Sequence, residues 1–395
     1  MGCTDPFRVR RPCRNAAEVE MKRLLILLLL LPLLSMPVSA DTGQILSEQV
    51  QKSGASDLNG NVPSSVRGAL GKMGVNGADP QNVRGFSLGN VFGFLWQKLG
   101  DAASAPFKAI AAVFGILLLC ALAEAMKNTF AEKSMKTVFE IVCTLSIAGV
   151  LAVPITQCIS AAAATVRDSS TFMTAFLPVY GGLAVASGHP TSGVISQGIV
   201  LVMAQVITQI ASTTFVPMVS IFLAFCIIGS IAPGVNIGGL AGFARKIVNV
   251  GLVLSLTIFT AVLTIQGFIA QAADTVTMKT AKFVVSSAVP VVGGAISDAL
   301  NTVVSCAGLL KNAVGAYAII VFLAAYLPVL LECVLWMLAV EFSVALAEIV
   351  NVGNVSTLLK GVLDALKMLV ALVVACALAM IVSVCILLLV SGQTT

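Results

Sequence analysis

Charged side chains are scarce in this sequence. Asp, Glu, Lys and Arg together make up 10% of the 395 residues, whereas hydrophobic residues make up 58%. Soluble domains are about 25% charged, so an ordinary water-exposed surface cannot be built from this chain. Mean hydropathy is +1.01, and lipid must cover the apolar surface that a core cannot hold. In lipid every backbone N–H and C=O has to be satisfied internally, which leaves helices or a closed barrel. A barrel needs alternating segments of about ten residues. The apolar runs here last about 20, the length of a crossing helix. The expected fold is all-α, a polytopic transmembrane helical protein.

Other absences narrow the function. Histidine occurs once and no Cys-x-x-Cys pair is present, so neither a zinc site nor a thiol redox motif has support. No metal or other cofactor is expected. The net charge of +5 is spread over short loops, and no basic cluster interleaved with aromatics supports nucleic-acid binding. No G-x-x-x-x-G-K-[ST] phosphate loop occurs, no catalytic constellation stands out, and an enzyme is not expected. Cysteine is the exception, with ten. Cys3 and Cys13 precede the leader described below. Cys120, Cys143, Cys158, Cys226, Cys306, Cys333, Cys376 and Cys385 lie in apolar segments. They read as small core residues rather than a disulfide framework.

The N-terminus carries two separate things. Met21-Lys22-Arg23, the apolar run Leu24 to Leu34 and Val38-Ser39-Ala40 form a signal peptide over 21–40, with cleavage expected before Asp41. Residues 1–20 are polar and Arg-rich and lie ahead of an already complete leader. One account is a start codon assigned too far upstream, because Ala17-Glu18-Val19-Glu20 before Met21 can be encoded by a purine-rich ribosome-binding sequence. Residues 41–105 are then extracytoplasmic. Their first part is rich in Gly, Asn and Ser and reads as flexible. From Leu88 on, Val91, Phe92, Leu95, Trp96 and Leu99 recur at helical spacing. An interfacial amphipathic helix feeding the first span is one reading, and a partner-binding helix is the other.

The polytopic domain occupies 106–395. Its apolar segments fall at about Phe107–Ala123, Val138–Ala163, Phe172–Ala186, Val194–Phe215, Val216–Ile231, Ile247–Gln271, Phe283–Ile296, Thr302–Leu327, Pro328–Val350 and Leu366–Val390. Phe172–Ala186 and Phe283–Ile296 are short and broken by Pro and Gly, and either cross or dip in and return. About eight spans are expected, with about six to ten allowed by length. Pro178-Val179-Tyr180-Gly181-Gly182 recurs as Pro290-Val291-Val292-Gly293-Gly294, Phe215-Val216-Pro217-Met218 as Tyr326-Leu327-Pro328-Val329, and Asn236-Ile237-Gly238 as Asn351-Val352-Gly353. The three offsets are nearly constant at about 110 residues, which suggests a duplication over roughly 138–240 and 247–355, followed by a final span at 366–390. Lys127, Lys133, Lys136, Arg245, Lys246, Lys360 and Lys367 on the cytoplasmic side, with Arg167, Lys279 and Lys282 outside, satisfy the positive-inside rule. This needs an odd number of crossings between Arg167 and Arg245, and makes the repeats parallel.

Ionisable residues inside apolar segments are costly and mark candidate sites. Glu332, Glu341 and Glu348 lie on Pro328–Val350, with Glu341 and Glu348 on one helix face and Glu332 opposite. They line a path through the membrane, or else pair with neighbouring helices and headgroups. Asp274, Lys279, Lys282, Asp298 and Lys311 frame the second break at Pro290, Gly293 and Gly294, as Pro178, Gly181 and Gly182 form the first. Such frames build binding sites in discontinuous helices, and loop solvation explains them equally well. Gln197, Gln205 and Gln209 fit interhelical hydrogen bonding. The glycine pairs, and Gly238-Gly239 with Gly242, serve close helix contact or a hinge.

The run from Gln266-Gly267 through Asp274, Lys279-Thr280-Ala281-Lys282-Phe283, Pro290-Val291-Val292-Gly293-Gly294-Ala295-Ile296-Ser297-Asp298 and Lys311-Asn312-Ala313-Val314-Gly315 resembles the stage III sporulation protein AE family of endospore-forming bacteria. Leu177-Pro178-Val179, Ala186-Ser187-Gly188 and Gln197 are similar to an earlier family segment. The likeness covers roughly Phe107 to Val390. It implies a multi-pass protein of the mother cell, in the outer membrane around the forespore. It also implies a membrane subunit of a channel-like feeding assembly, with other stage III A proteins, a separate ATPase subunit and a forespore membrane partner. It supplies no catalytic residues. Within that role the chain is a conduit or an assembly platform. A stand-alone small-solute permease and a purely structural membrane scaffold are the alternatives.

Overall fold

Helices form because apolar runs in lipid leave the backbone no other partner. The computed structural model describes residues 51, 53–125, 133–231, 237–288, 293–350 and 352–390, and these belong to one unit, Gln44–Thr395. Residues 1–43, and with them the leader and the upstream extension, lie outside the described residues, as do Lys127 and Pro290.

A small cap comes first. A 3₁₀ helix at Asp57–Asn61 is followed by α1 (Ser64–Lys72) and the short α2 (Pro80–Val83). Leu58, Val62, Val66, Leu70, Met73 and Val75 are buried together. The expectation of a flexible stretch is therefore corrected from Ser53 on. The glycines and asparagines separate apolar residues three or four positions apart, which is enough for short helices to share a core. Two glycines permit the close crossing of its loops. Gly74 has φ +84°, and a Cβ there would lie 2.7 Å from the Gly85 carbonyl oxygen.

The long helices are α3 (Leu88–Ala125), α4 (Lys133–Ala186), α5 (Pro190–Ile210), α6 (Val216–Ile231), α7 (Gly238–Ala288), α8 (Gly293–Val350) and α9 (Gly353–Val390). A π turn at Ala211–Phe215 joins α5 to α6 as one rod. Among the described residues six helices are long and apolar enough to cross a membrane, α5 and α6 counting as one. The expected count of about eight is not confirmed by these six candidates. Val138–Ala163 and Phe172–Ala186 are one helix, α4, which runs through Pro154 and Pro178. Thr302–Leu327 and Pro328–Val350 are both in α8, which runs through Pro328. The amphipathic stretch from Leu88 is the first part of α3 and continues through Pro106. A dip in hydropathy is not a break in the backbone, and proline is tolerated where neighbouring helices support the freed groups.

One candidate spanning rod, α5 with α6, lies between Arg167 and Arg245, an odd number as the charge bias requires. The duplication is not established by the fold. One copy of the Pro-Val-x-Gly-Gly motif lies within continuous α4, whereas Gly293 and Gly294 of the other begin α8.

The pair α8–α9 is the centre of the bundle. Helices α3 and α4 pack on α8, α6 and α7 pack on α9, and α5 packs on α4 and α7. In the heart of it, Phe172 meets Phe322 edge-on at 5.6 Å between ring centroids, and Cys158 and Cys333 are buried free thiols. Ser and Thr hydroxyls along the spans mostly return to the carbonyl four residues back, as from Ser383 to Ala379 at 2.8 Å, so they cost little in lipid.

Candidate functional site

Helices in lipid gain no hydrophobic driving force from one another, so small residues and interhelical hydrogen bonds decide how they seat. At the first Pro-Val-x-Gly-Gly motif, a Cβ on Gly181 would run into the Gln197 side chain and lie 3.0 Å from the Gly193 carbonyl oxygen. A Cβ on Gly193 would in turn lie 2.9 Å from the Gly181 carbonyl oxygen. Gly181 therefore serves close α4–α5 contact, while Gly182 faces open space. Pro178 lies inside α4. About two turns away along both helices, Gln205 donates from Nε2 to Thr174 Oγ1 at 3.0 Å. Gly251, Gly315 and Gly361 form similar seats for Phe215, Leu388 and Cys226.

A polar layer ties the cap to the bundle. The Tyr317 hydroxyl of α8 donates to Asn59 Oδ1 at 3.2 Å, and Asn59 Nδ2 donates to the Asn76 carbonyl at 3.0 Å. Arg67 donates to the carbonyls of Gly60 and Val62, each at 3.0 Å, and Lys72 Nζ reaches Gln97 Oε1 at 3.1 Å. On α3, Leu88, Phe92 and Trp96 point outward, with Phe92 stacked on Trp96 at 6.3 Å.

A second polar layer lies at the other end. Arg245 of α7 pairs with Asp364 of α9 at 2.8 Å, and Lys360 of α9 pairs with Glu348 of α8 at 2.8 Å. Asn354 Nδ2 donates to Glu140 Oε2 of α4 at 3.3 Å. Asp364, Glu140 and Asn354 were not singled out by sequence reasoning. Their signal was present only as isolated polar residues at the edges of apolar runs.

The acids expected on Pro328–Val350 separate. Glu348 is in the ion pair, Glu332 is half-buried, and Glu341 is exposed on the outer side of α8 between exposed Leu338 and Phe342. Lys311 is buried in α8 and engaged with a neighbour. The side chains of Asp274, Lys279, Lys282 and Asp298 lie outside the described residues. Of the charged frame around the second break, only Lys311 is therefore among the described side chains.

The reading of all membrane cysteines as unpaired core residues is corrected at one place. Cys120 of α3 and Cys143 of α4 form a disulfide, with Cα atoms 6.6 Å apart. A short connection makes the two helix ends face each other, a proximity that spacing in sequence does not show. Cys158, Cys306, Cys333 and Cys376 are buried and free.

The arrangement offers helix seats, a capped end and a charged end, and among the described residues no cluster of His, Cys, Asp and Glu could hold a metal ion. A family model described as stage III sporulation protein AE matches residues 80–391. The chain belongs to the stage III sporulation protein AE family. The stage III sporulation protein AE of Bacillus subtilis (strain 168) is similar to it, at 26% identity over 274 residues, covering 68% of this chain and 67% of the relative. No solved structure matches. The AE family match takes in α2, α9 and everything between them, and so contains the Arg245–Asp364 layer and the glycine seats, whereas Asn59, Arg67, Lys72 and Asn76 of the cap layer precede it.

Proposed function

We propose that this AE-family protein is a non-enzymatic membrane subunit of the mother-cell-to-forespore channel assembly, in the outer forespore membrane, and that its main role is to be a platform. Other stage III A proteins, a separate ATPase subunit and a forespore membrane partner are the proposed associates. The observation that supports a platform is helix length. Helices α4, α7 and α8 have 54, 51 and 58 residues, whereas about 20 residues span a hydrocarbon core of about 30 Å. With the Arg245–Asp364 pair at the inner boundary, α7 alone overruns the core by more than about 30 Å. That excess lies on the same side as the cap, where a partner from the facing membrane is within reach.

A path contained within one chain has less support than one completed between chains, because Glu341 faces outward from the bundle. Affinity capture of the tagged chain from sporulating cells tests the proposal. Co-recovery of the other stage III A proteins is expected, and capture of the chain without any of them overturns it. Glu341→Gln separates the two roles. Failed assembly fits a platform, and intact assembly with lost forespore activity fits a conduit.

A further inference from the structure

Helices that border lipid in this bundle present large apolar side chains to it, as α3 does with Leu118 and Leu119 and α7 with Val253 and Leu254. Helix α4 departs from this. It runs unbroken through residues 154–184, and no large apolar side chain is exposed over that stretch. Its exposed residues recur at intervals of three and four, so they form one stripe down a single helix face. Thr156, Gln157, Ser160, Ala164 and Arg167 belong to it, and Gly149 continues it toward the charged end.

The depth of the stripe follows from the polar layer at that end. Glu140 meets Asn354, and Asn354 lies about 15 Å of helix below Asp364. Thr156 then stands about 9 Å above the Arg245–Asp364 boundary, and Ala164 about 21 Å above it. With a hydrocarbon core of about 30 Å, Thr156, Ser160 and Ala164 are inside the core. Arg167 and Asp168 reach its outer edge.

The stripe suits another helix better than it suits lipid. Thr156, Ser160 and Ala164 are small and four residues apart, the spacing that lets two membrane helices approach closely. The Thr156 hydroxyl is turned back on the Ala152 carbonyl, and that of Ser160 on the Gln157 carbonyl, so neither needs an outside partner. A Cβ on Gly149 would meet nothing within 4 Å. Gln157 is the exception. Its exposed side-chain amide forms no hydrogen bond with another described residue, and an unmet amide is costly in hydrocarbon.

Two self-complementary features identify the occupant. A side-chain amide both donates and accepts, so a copy of itself satisfies it. Arg167 is exposed with half-buried Asp168 beside it, and neither has an ion-pair partner among the described residues. Two copies oriented alike in one membrane are related by a two-fold axis along its normal, so equal heights meet. Each copy's Arg167 then faces the other's Asp168, and the two Gln157 amides face each other.

We propose that a second copy of this chain docks on the α4 stripe, with the Thr156, Ser160 and Ala164 ridges in contact and Arg167 paired with Asp168 across the axis. The purified full-length chain carries a donor or an acceptor fluorophore at its C-terminus, and resonance energy transfer is followed in phosphatidylglycerol vesicles as lipid is added. Transfer that persists on dilution is expected for the wild type. Ser160→Leu lowers the association constant about tenfold, because it overfills the contact. Arg167→Asp and Asp168→Arg each lower it about tenfold through like charges at the axis, and transfer returns when the two single variants are mixed. Absence of wild-type transfer, as when lipid or another protein covers the stripe, overturns the proposal. So does unchanged association in a folded Ser160→Leu protein. If that variant fails to fold, the mixture still decides, because a mixture that associates no better than either charge variant alone overturns the pairing. No other protein is present, so the result is independent of the partners proposed above.

Discussion

Arg245 and Asp364 meet at 2.8 Å although 119 residues separate them in the chain. The pair fixes α7 beside α9, as Glu348–Lys360 fixes α8 on the same helix. Asp364 and Lys360 lie one turn apart on α9, and they reach to different neighbours. Together they mark the inner polar boundary of the bundle and set the depth of everything above it.

The pair is half-exposed, with the side chains 47% and 31% accessible, so its net contribution is about 1 kcal/mol or less. Arg245→Asp and Asp364→Arg are each expected to lower the melting temperature of the purified protein slightly. The charge-swapped double variant recovers most of the loss. If the double variant is worse than the sum of the singles, the two residues are not coupled as the structure places them.

Gly181 and Gly182 are neighbours with opposite surroundings. Gly181→Ala forces α4 away from Gln197 and Gly193, at an expected cost of about 1–3 kcal/mol. Gly182→Ala meets nothing within 4 Å and is neutral or slightly stabilising, because alanine favours helix by about 1 kcal/mol. Thermal unfolding of the two variants in the same detergent distinguishes them.

The cap is held in part by one phenol. Tyr317→Phe removes the donor to Asn59 and is expected to weaken docking by about 0.5–1.5 kcal/mol. Limited proteolysis reads this out as faster cleavage within residues 53–87, with the spans still intact. Unchanged cleavage shows that apolar packing alone seats the cap.

Cys120 and Cys143 close a loop with a sequence separation of 23 residues. Under non-reducing conditions alkylation should leave both unlabelled, and reduction should expose them together. Cys120→Ser is expected to lower stability by about 2–4 kcal/mol, and adding Cys143→Ser costs little more. Free labelling of Cys120 without reductant counts against the pairing.

If each of the six candidate spans crosses once, exposed Lys72 and exposed Gly353 lie on opposite sides of the membrane. In a background without native cysteines, Lys72→Cys should react with an impermeant maleimide from the outer side, and Gly353→Cys only after the membrane is opened. Labelling of both from one side returns the count to an even-numbered shift.

The class of this protein was legible in its sequence because scarcity of charge is a property of the whole chain, and lipid permits few backbones. The charged and glycine-rich run from Gln266 to Gly315 likewise carried the AE-family resemblance before any fold was known. Hydropathy, however, is a local quantity. It divided α4 at Arg167 and α8 at Pro328, where the hydrogen-bonded backbone runs on. It treated Gly181 and Gly182 alike, because only the approach of Gln197 and Gly193 distinguishes them. It grouped Glu341 with Glu348, although one is paired and the other faces outward. Cys120–Cys143 and Arg245–Asp364 depend on which helix lies alongside. That is decided by packing between segments distant in the chain, and only the tertiary structure shows it.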